Sequence, residues 1–413
     1  MKISILKMTG PNLGGRNRIV DPLQSRGAST FLAQQGYVMS KTSLNLTRRT
    51  LLTGAAGFAL TTPMLNRAWA AEPTQINMLA WYGHAEPDIV AEFEAANNVK
   101  FVPKYYAGGD NMLALIAQSP PGTYDLILSD AEFVQQLNAA GYIEEMDPGL
   151  YPFDDFFPEY QKFPGHWTDN QLWSVMVRFG LLGVSYNSDA LTRAEAMSYN
   201  AFWNPKVSGK VGHFDWHLPN LGQISLLLGN RSPSPFDISD ADWQAVQEKT
   251  LSLKPQVGGY FDYGGTFAGL KNGEMLAMAG IGDWITGVLQ KDGAPVASVI
   301  PEEGGIQWTE SYSIGKGTSK HEIVNKFIQY MLSPEGQVKS IQMAAYPGLS
   351  PLKSGWKAIQ AANPAEAERS GLIDGHDQSP IRLLNEGRLF FRDIPRQQDL
   401  EAWNDFWSEY KTA

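Results

Sequence analysis

Gln75–Asn98 reads QINMLAWYGHAEPDIVAEFEAANN, and the fold turns on how this stretch is read. Gln75–Trp81 is a short apolar run that stops at Tyr82-Gly83, as a strand buried in a parallel sheet does. Pro87 then stands near a helix start, with Ile89, Val90 and Phe93 at helical spacing behind it. The alternation continues downstream. Lys100–Tyr106 predicts a second strand, Asn111–Gln118 a second helix, Tyr124–Leu128 a third strand, and Ala131–Gly141 a helix stopped by its glycine. Strand and helix repeated in this order imply a parallel sheet covered on both faces.

Ligands of open parallel sheets bind beyond the carboxyl ends of the strands. Those ends are Trp81-Tyr82-Gly83-His84 and Ser129-Asp130-Ala131-Glu132. A helix beginning near Ala131 would also direct its free backbone N–H groups at the same cleft. A second alternating region follows the polar, aromatic stretch Pro152–Trp173. It runs through Leu181–Tyr186, Gly209–Phe214, an apolar helix around Ile224–Leu228, and Met275–Ala279. Near the end, Ile323, Phe327, Ile328 and Met331 share one helical face, ended by Pro334.

Upstream, Leu46–Pro73 reads LTRRTLLTGAAGFALTTPMLNRAWAAEP. Its apolar part, Leu51–Leu60, is too short for a spanning helix of about 20 residues. Arg48-Arg49 before it, and Ala68-Trp69-Ala70 after it, fit an export signal cleaved after Ala70. Thr47–Leu52 resembles the twin-arginine consensus, so the twin-arginine translocase is an expected partner. Met39 would start a leader of ordinary length, 39–71, and 1–38 reads as a non-native or mis-assigned extension. The expected location is the periplasm.

The chain from Ala71 onward has 343 residues, enough for two lobes. It carries 24 Lys/Arg against 42 Asp/Glu, a net charge of −18, which argues against nucleic acid as a partner. There is no cysteine, so disulfides, thiolate nucleophiles and iron–sulfur clusters do not arise. No Gly-x-Gly-x-x-Gly, His-Glu-x-x-His or Gly-x-Ser-x-Gly is present, which leaves an exported enzyme without a motif.

Several segments, in order, resemble the periplasmic polyamine-binding proteins of ABC importers. They are LAWYGHAEPDIVAEFEAANNVK, YDLILSDAEFVQQLNAAGYIEEMDP, NGEMLAMAGIGDW and IPEEGGIQWTESYSI, with the tail KHEIVNKFIQYMLSPEGQ. The resemblance implies an α/β fold, the type II periplasmic binding protein, with two doubly wound lobes joined by crossovers around a ligand cleft. The expected partition is 72–180 with 281–318 for lobe I, and 181–280 with 319–413 for lobe II. It implies a monomer with no catalysis and no cofactor, which delivers spermidine, putrescine or a related cationic amine to an inner-membrane permease driven by a cytoplasmic ATPase.

Such proteins hold ammonium groups between aromatic faces and carboxylates. By position, Trp81, Asp283 and Glu310 match the family's ligand-contacting pattern. Asp130, Glu132 and His84 depart from it in residue type, and Asp215-Trp216 departs from it in spacing. The alternatives are helix capping for Asp130 and Glu132 and a local hydrogen-bonding role for His84. Tyr263 and Trp284 are candidate walls, against the more ordinary use of aromatic residues in cores. Arg178, just before the crossover, would repel a diamine and could hold a carboxylate, or else form a salt bridge at the lobe junction. The alternative ligands are therefore a zwitterionic amine, an opine, an amino acid or a thiamine-like compound. Ferric iron is a further alternative, for which Tyr105-Tyr106 is the adjacent tyrosine pair.

Overall fold

The computed structural model describes residues 72–413, so the expected leader at 39–71 and the segment 1–38 lie outside the described residues. β1 (Thr74–Ala80), β2 (Val99–Tyr105) and β3 (Leu126–Asp130) run parallel, with β1 between the other two. The helix Pro87–Asn97 connects the first pair and buries Ile89, Val90 and Phe93, the residues whose spacing announced it. The helix expected over 131–141 opens instead as a 3-10 turn, Ala131–Phe133, and becomes α-helical only over Val134–Ala139.

A short ribbon of β4 (Trp167–Thr168) and β5 (Gln171–Leu172) precedes β6 (Val175–Leu182). A second sheet is built from β7 (Val184–Asn187), β8 (Val211–Phe214), β9 (Val257–Phe261), β10 (Ala277–Ala279) and β11 (Val296–Val299), in the order β11-β7-β10-β8-β9. The chain then returns to the first sheet with β12 (Gly305–Ile314), buried along its whole length, and later with β13 (Leu389–Phe391). One edge of β12 pairs antiparallel with β6. Its other edge pairs with β3 over Glu310–Ile314 and with β13 over Gly305–Gln307.

Leu181–Tyr186, which reads as one strand, is divided at Gly183. Leu181 and Leu182 finish β6 in the first sheet, and Val184–Tyr186 belong to β7 in the second. The glycine is required by close approach, because a Cβ there would stand 2.2 Å from the carbonyl oxygen of Val299, the last residue of β11.

The expected lobe boundaries differ from the sheet memberships in several places; Leu181 and Leu182 at the end of β6, and Leu389–Phe391 in β13, were expected in lobe II and belong to the first sheet. β11 hydrogen-bonds to β7, and the helix Asp283–Lys291 packs on β11, so 283–299 goes with the second sheet instead of the first. The helix His321–Met331 sets Phe327 against Phe93 and Phe101, at ring separations of 5.1 and 4.4 Å, so it covers the first sheet and not the second. The C-terminal helix Leu400–Thr412 does join the second lobe, where Trp403 stacks on Trp243 at 4.8 Å.

Candidate ligand-binding site

The strand ends supply the walls. Trp81 follows β1, Trp216 follows β8, Tyr263 follows β9, and Trp284 opens the helix that comes after β10. With Asp130 at the end of β3 and Glu310 in β12, these six line a cavity of about 280 Å³ between the two sheets. The remaining lining includes Tyr82, Tyr106, Phe214, Trp308, Tyr346 and Arg392. Ring contacts cross from one lobe to the other: Trp81 to Trp216 at 6.2 Å, and Trp284 to Tyr346 at 5.9 Å. Tyr263 donates its hydroxyl to the carbonyl of Ala345 across the same gap.

Glu310 is the most heavily satisfied group in the cleft. Its Oε2 accepts from Arg178 Nε at 2.6 Å and stands 3.0 Å from His84 Nε2, and its Oε1 accepts from the Tyr346 hydroxyl at 2.7 Å. Burial alone would raise its pKa, but the Arg178 guanidinium and His84 outweigh that and hold it well below the usual carboxylate range. Burial lowers the pKa of His84, whose Nδ1 lies 3.4 Å from the Tyr312 hydroxyl. Arg178 also donates to the carbonyl of Tyr346 at 3.1 Å and lies 4.3 Å over that ring.

The second charged group is a carboxylate–guanidinium–carboxylate triad. Arg392 donates Nη2 to Asp130 Oδ1 at 2.6 Å and Nε to Glu132 Oε1 at 2.5 Å, while Trp81 Nε1 donates to Asp130 Oδ2 at 3.1 Å. One guanidinium cannot neutralise both acids away from water. Burial accordingly raises the pKa of Asp130 and pushes Glu132 up to about 8, with Arg392 opposing both shifts, so the pair retains one proton at neutral pH.

Of the residues singled out in the sequence, Trp81, Asp130, Trp216, Tyr263, Trp284 and Glu310 converge on the cavity. Arg178, His84 and Glu132 are buried behind its lining. Asp215 is not brought there: it accepts from Trp407 Nε1 and Lys411 Nζ, both at 2.8 Å, and fastens the C-terminal helix. Nor is Asp283. It lies in the first turn of its helix, paired with Arg369 at 2.5 Å, and lines a separate cavity. Tyr105 and Tyr106 do not form a pair of iron ligands either. Alternation along the strand separates them, with one hydroxyl bonded to Glu86 and the other to the carbonyl of Leu128.

Some of the residues missed in the sequence carried a signal there. Tyr82, Tyr106 and Phe214 close or follow predicted strands. Trp308 lies two residues before Glu310 in a strand, and therefore on the same face. Tyr346 and Arg392 carried none, since neither sits at the end of any predicted strand.

Comparison with known proteins agrees with this architecture. Residues 88–360 match the family model described as bacterial extracellular solute-binding protein. The spermidine/putrescine-binding periplasmic protein of Salmonella typhimurium is 23% identical over 284 residues, 68% of this chain and 80% of that protein. Among solved structures, a putative spermidine/putrescine ABC transporter protein from Listeria monocytogenes superposes with a TM-score of 0.68 at 19% identity, covering 82% of this chain and 99% of that one. The binding protein MotA from A. tumefaciens B6, in complex with glucopine, gives a TM-score of 0.62 at 16% identity, covering 82% and 100%. With the family model spanning well over half of the chain, this protein belongs to the bacterial extracellular solute-binding proteins and is a substrate-binding component of an ABC importer, not an enzyme.

Proposed function

We propose that the cleft captures a small zwitterionic amine by lobe closure and delivers it to the importer's permease. One observation carries this reading: both carboxylates that line the cavity, Asp130 and Glu310, are already matched by the guanidinium groups of Arg392 and Arg178. The cavity therefore has aromatic faces to attract one ammonium, each worth about 0.5–2 kcal/mol. It has no spare pair of charges for a linear polycation. Arg392 lies in the lining, and among the described residues its Nη1 makes no hydrogen bond, so it can face a ligand carboxylate.

A polyamine is the second reading, favoured by the names of the Salmonella and Listeria relatives and by the aromatic walls. Against it, Asp283 is committed to Arg369 outside the cavity and Glu310 to Arg178.

A calorimetric comparison of 4-aminobutyrate with putrescine separates the two readings, because the pair share one carbon chain and differ in one terminal charge. Saturable binding of the zwitterion, with putrescine at least about tenfold weaker, is the expected result, a difference of about 1.4 kcal/mol. Tighter binding of putrescine would return the protein to the polyamine reading. Export through the twin-arginine route and a periplasmic location belong to the same proposal. Sequencing the N-terminus of the exported protein should find Ala71, and a start upstream of Arg48 would rule out this cleavage.

A further inference from the structure

We infer that Arg392 is a specificity-determining residue, a tethered cation that fills from within the protein the subsite where a second ligand ammonium would sit. The inference rests on the reading of the cleft as an amine site. An ammonium subsite needs an aromatic face and acidic oxygens. Both are present around Arg392 and both are in use. Its guanidinium carbon lies 4.3 Å over the ring of Trp216, and its nitrogens reach Asp130 at 2.6 Å and Glu132 at 2.5 Å.

The side chain is held in place. Arg392 follows β13, its backbone N–H donates to the carbonyl of Gln307 at 2.8 Å, and the side chain is only 4% exposed. The partners come from both lobes: Asp130 and Glu132 from the first, Trp216 from the end of β8 in the second. Arg392 thus makes the bridge across the cleft that a diamine's far end would otherwise make. Glu132 Oε2, buried and without a hydrogen-bond partner, is a polar atom that the single guanidinium leaves unsatisfied.

A purely structural ion pair would have a different consequence. Its loss would weaken every ligand in parallel, together with stability. A tethered cation instead sets the ratio between ligands that carry a second positive charge and ligands that do not. Removing it uncovers two acids and an indole face, which favours the dication and disfavours the zwitterion.

The test is to titrate putrescine and 4-aminobutyrate into the wild-type protein, Arg392→Gln and Arg392→Lys. Arg392→Gln should bind putrescine at least about tenfold more tightly than wild type does and shift the putrescine to 4-aminobutyrate ratio by about a hundredfold. Arg392→Lys, which keeps the cation but loses the fork that reaches both acids, should shift that ratio by less than Arg392→Gln does. If Arg392→Gln does not fold, Arg392→Gln combined with Glu132→Gln removes the cation together with the acid that holds its proton, leaves Asp130 and the Trp216 ring uncovered, and should shift the ratio in the same direction. An unchanged ratio, a parallel loss for both ligands, or no putrescine binding in the variant would overturn the inference. Should wild type itself prefer putrescine, the zwitterion reading fails, while the variant-to-wild-type ratio for putrescine still decides the role of Arg392.

Discussion

Glu310 and Asp283 are both acids that match the polyamine-binding pattern in sequence, and the structure gives them different work. Glu310 is nearly inaccessible and neutralises Arg178, which is buried as deeply. Replacing Glu310 by Gln strands that guanidinium, so a loss of about 3–5 kcal/mol in denaturant unfolding is expected. Asp283 is partly exposed and paired with Arg369 outside the cleft. Asp283→Ala should therefore leave ligand affinity within about twofold and cost less than about 1 kcal/mol. Ligand binding abolished in Asp283→Ala would show that the cleft extends past Trp284 into the neighbouring cavity. In the sequence the two residues look alike, because what separates them is the partner each meets.

At the scale of elements, the helix His321–Met331 shows what periodicity can and cannot convey. Val324, Phe327, Ile328 and Met331 form its buried face, three of them residues whose spacing indicated the helix; the other residue marked in sequence, Ile323, is only half-buried. Periodicity does not say which sheet that face meets. Phe327 answers it by packing on Phe93 of the first helix, Phe101 of β2 and Tyr312 of β12. Tyr312 in turn touches His84 beside Glu310, so this helix braces the floor of the cleft. Phe327→Ala should cost about 3–5 kcal/mol, and hydrogen exchange should rise in the helix Pro87–Asn97 and in β2. A rise confined to β7–β11 would instead assign the helix to the second lobe. The division of Leu181–Tyr186 at Gly183 has a similar origin, since a crossover and a continuous strand have the same local pattern until each half finds its sheet.

For the whole molecule, four histidines are kept uncharged by burial. Burial lowers the pKa of His166 to about 3 and of His213 and His217 to about 4, and it lowers His84 as well. On unfolding each regains its ordinary value of 6.5 and binds a proton below it. The stability they contribute is therefore fully present above pH 6.5 and is lost as pH falls toward the folded values, at up to about 1.4 kcal/mol per pH unit for each. Glu132 acts in the opposite sense between 4.5 and about 8, because the folded protein holds its proton there, but it offsets the proton of one histidine only. Below 4.5, protonation of Glu310 in the unfolded chain adds to the loss. The melting temperature should fall steadily from pH 6.5 to pH 4.5. A profile flat or rising over that interval would contradict neutral buried histidines.

Alternation of strand and helix, and the aromatic residues at strand ends, were determined by the sequence alone. Both depend on local periodicity: where a buried strand stops, the next side chain faces the cleft. The type II binding-protein fold and the indole walls at Trp81, Trp216 and Trp284 follow from such local patterns and from resemblance. The charge state of the cleft was decided only by the tertiary structure. Glu310 and Arg178 are 132 residues apart, and Glu132 and Arg392 are 260 apart. No local pattern couples such pairs; only the closing of β12 on β6, and the arrival of β13 beside β12, bring each guanidinium out of water and onto its acid.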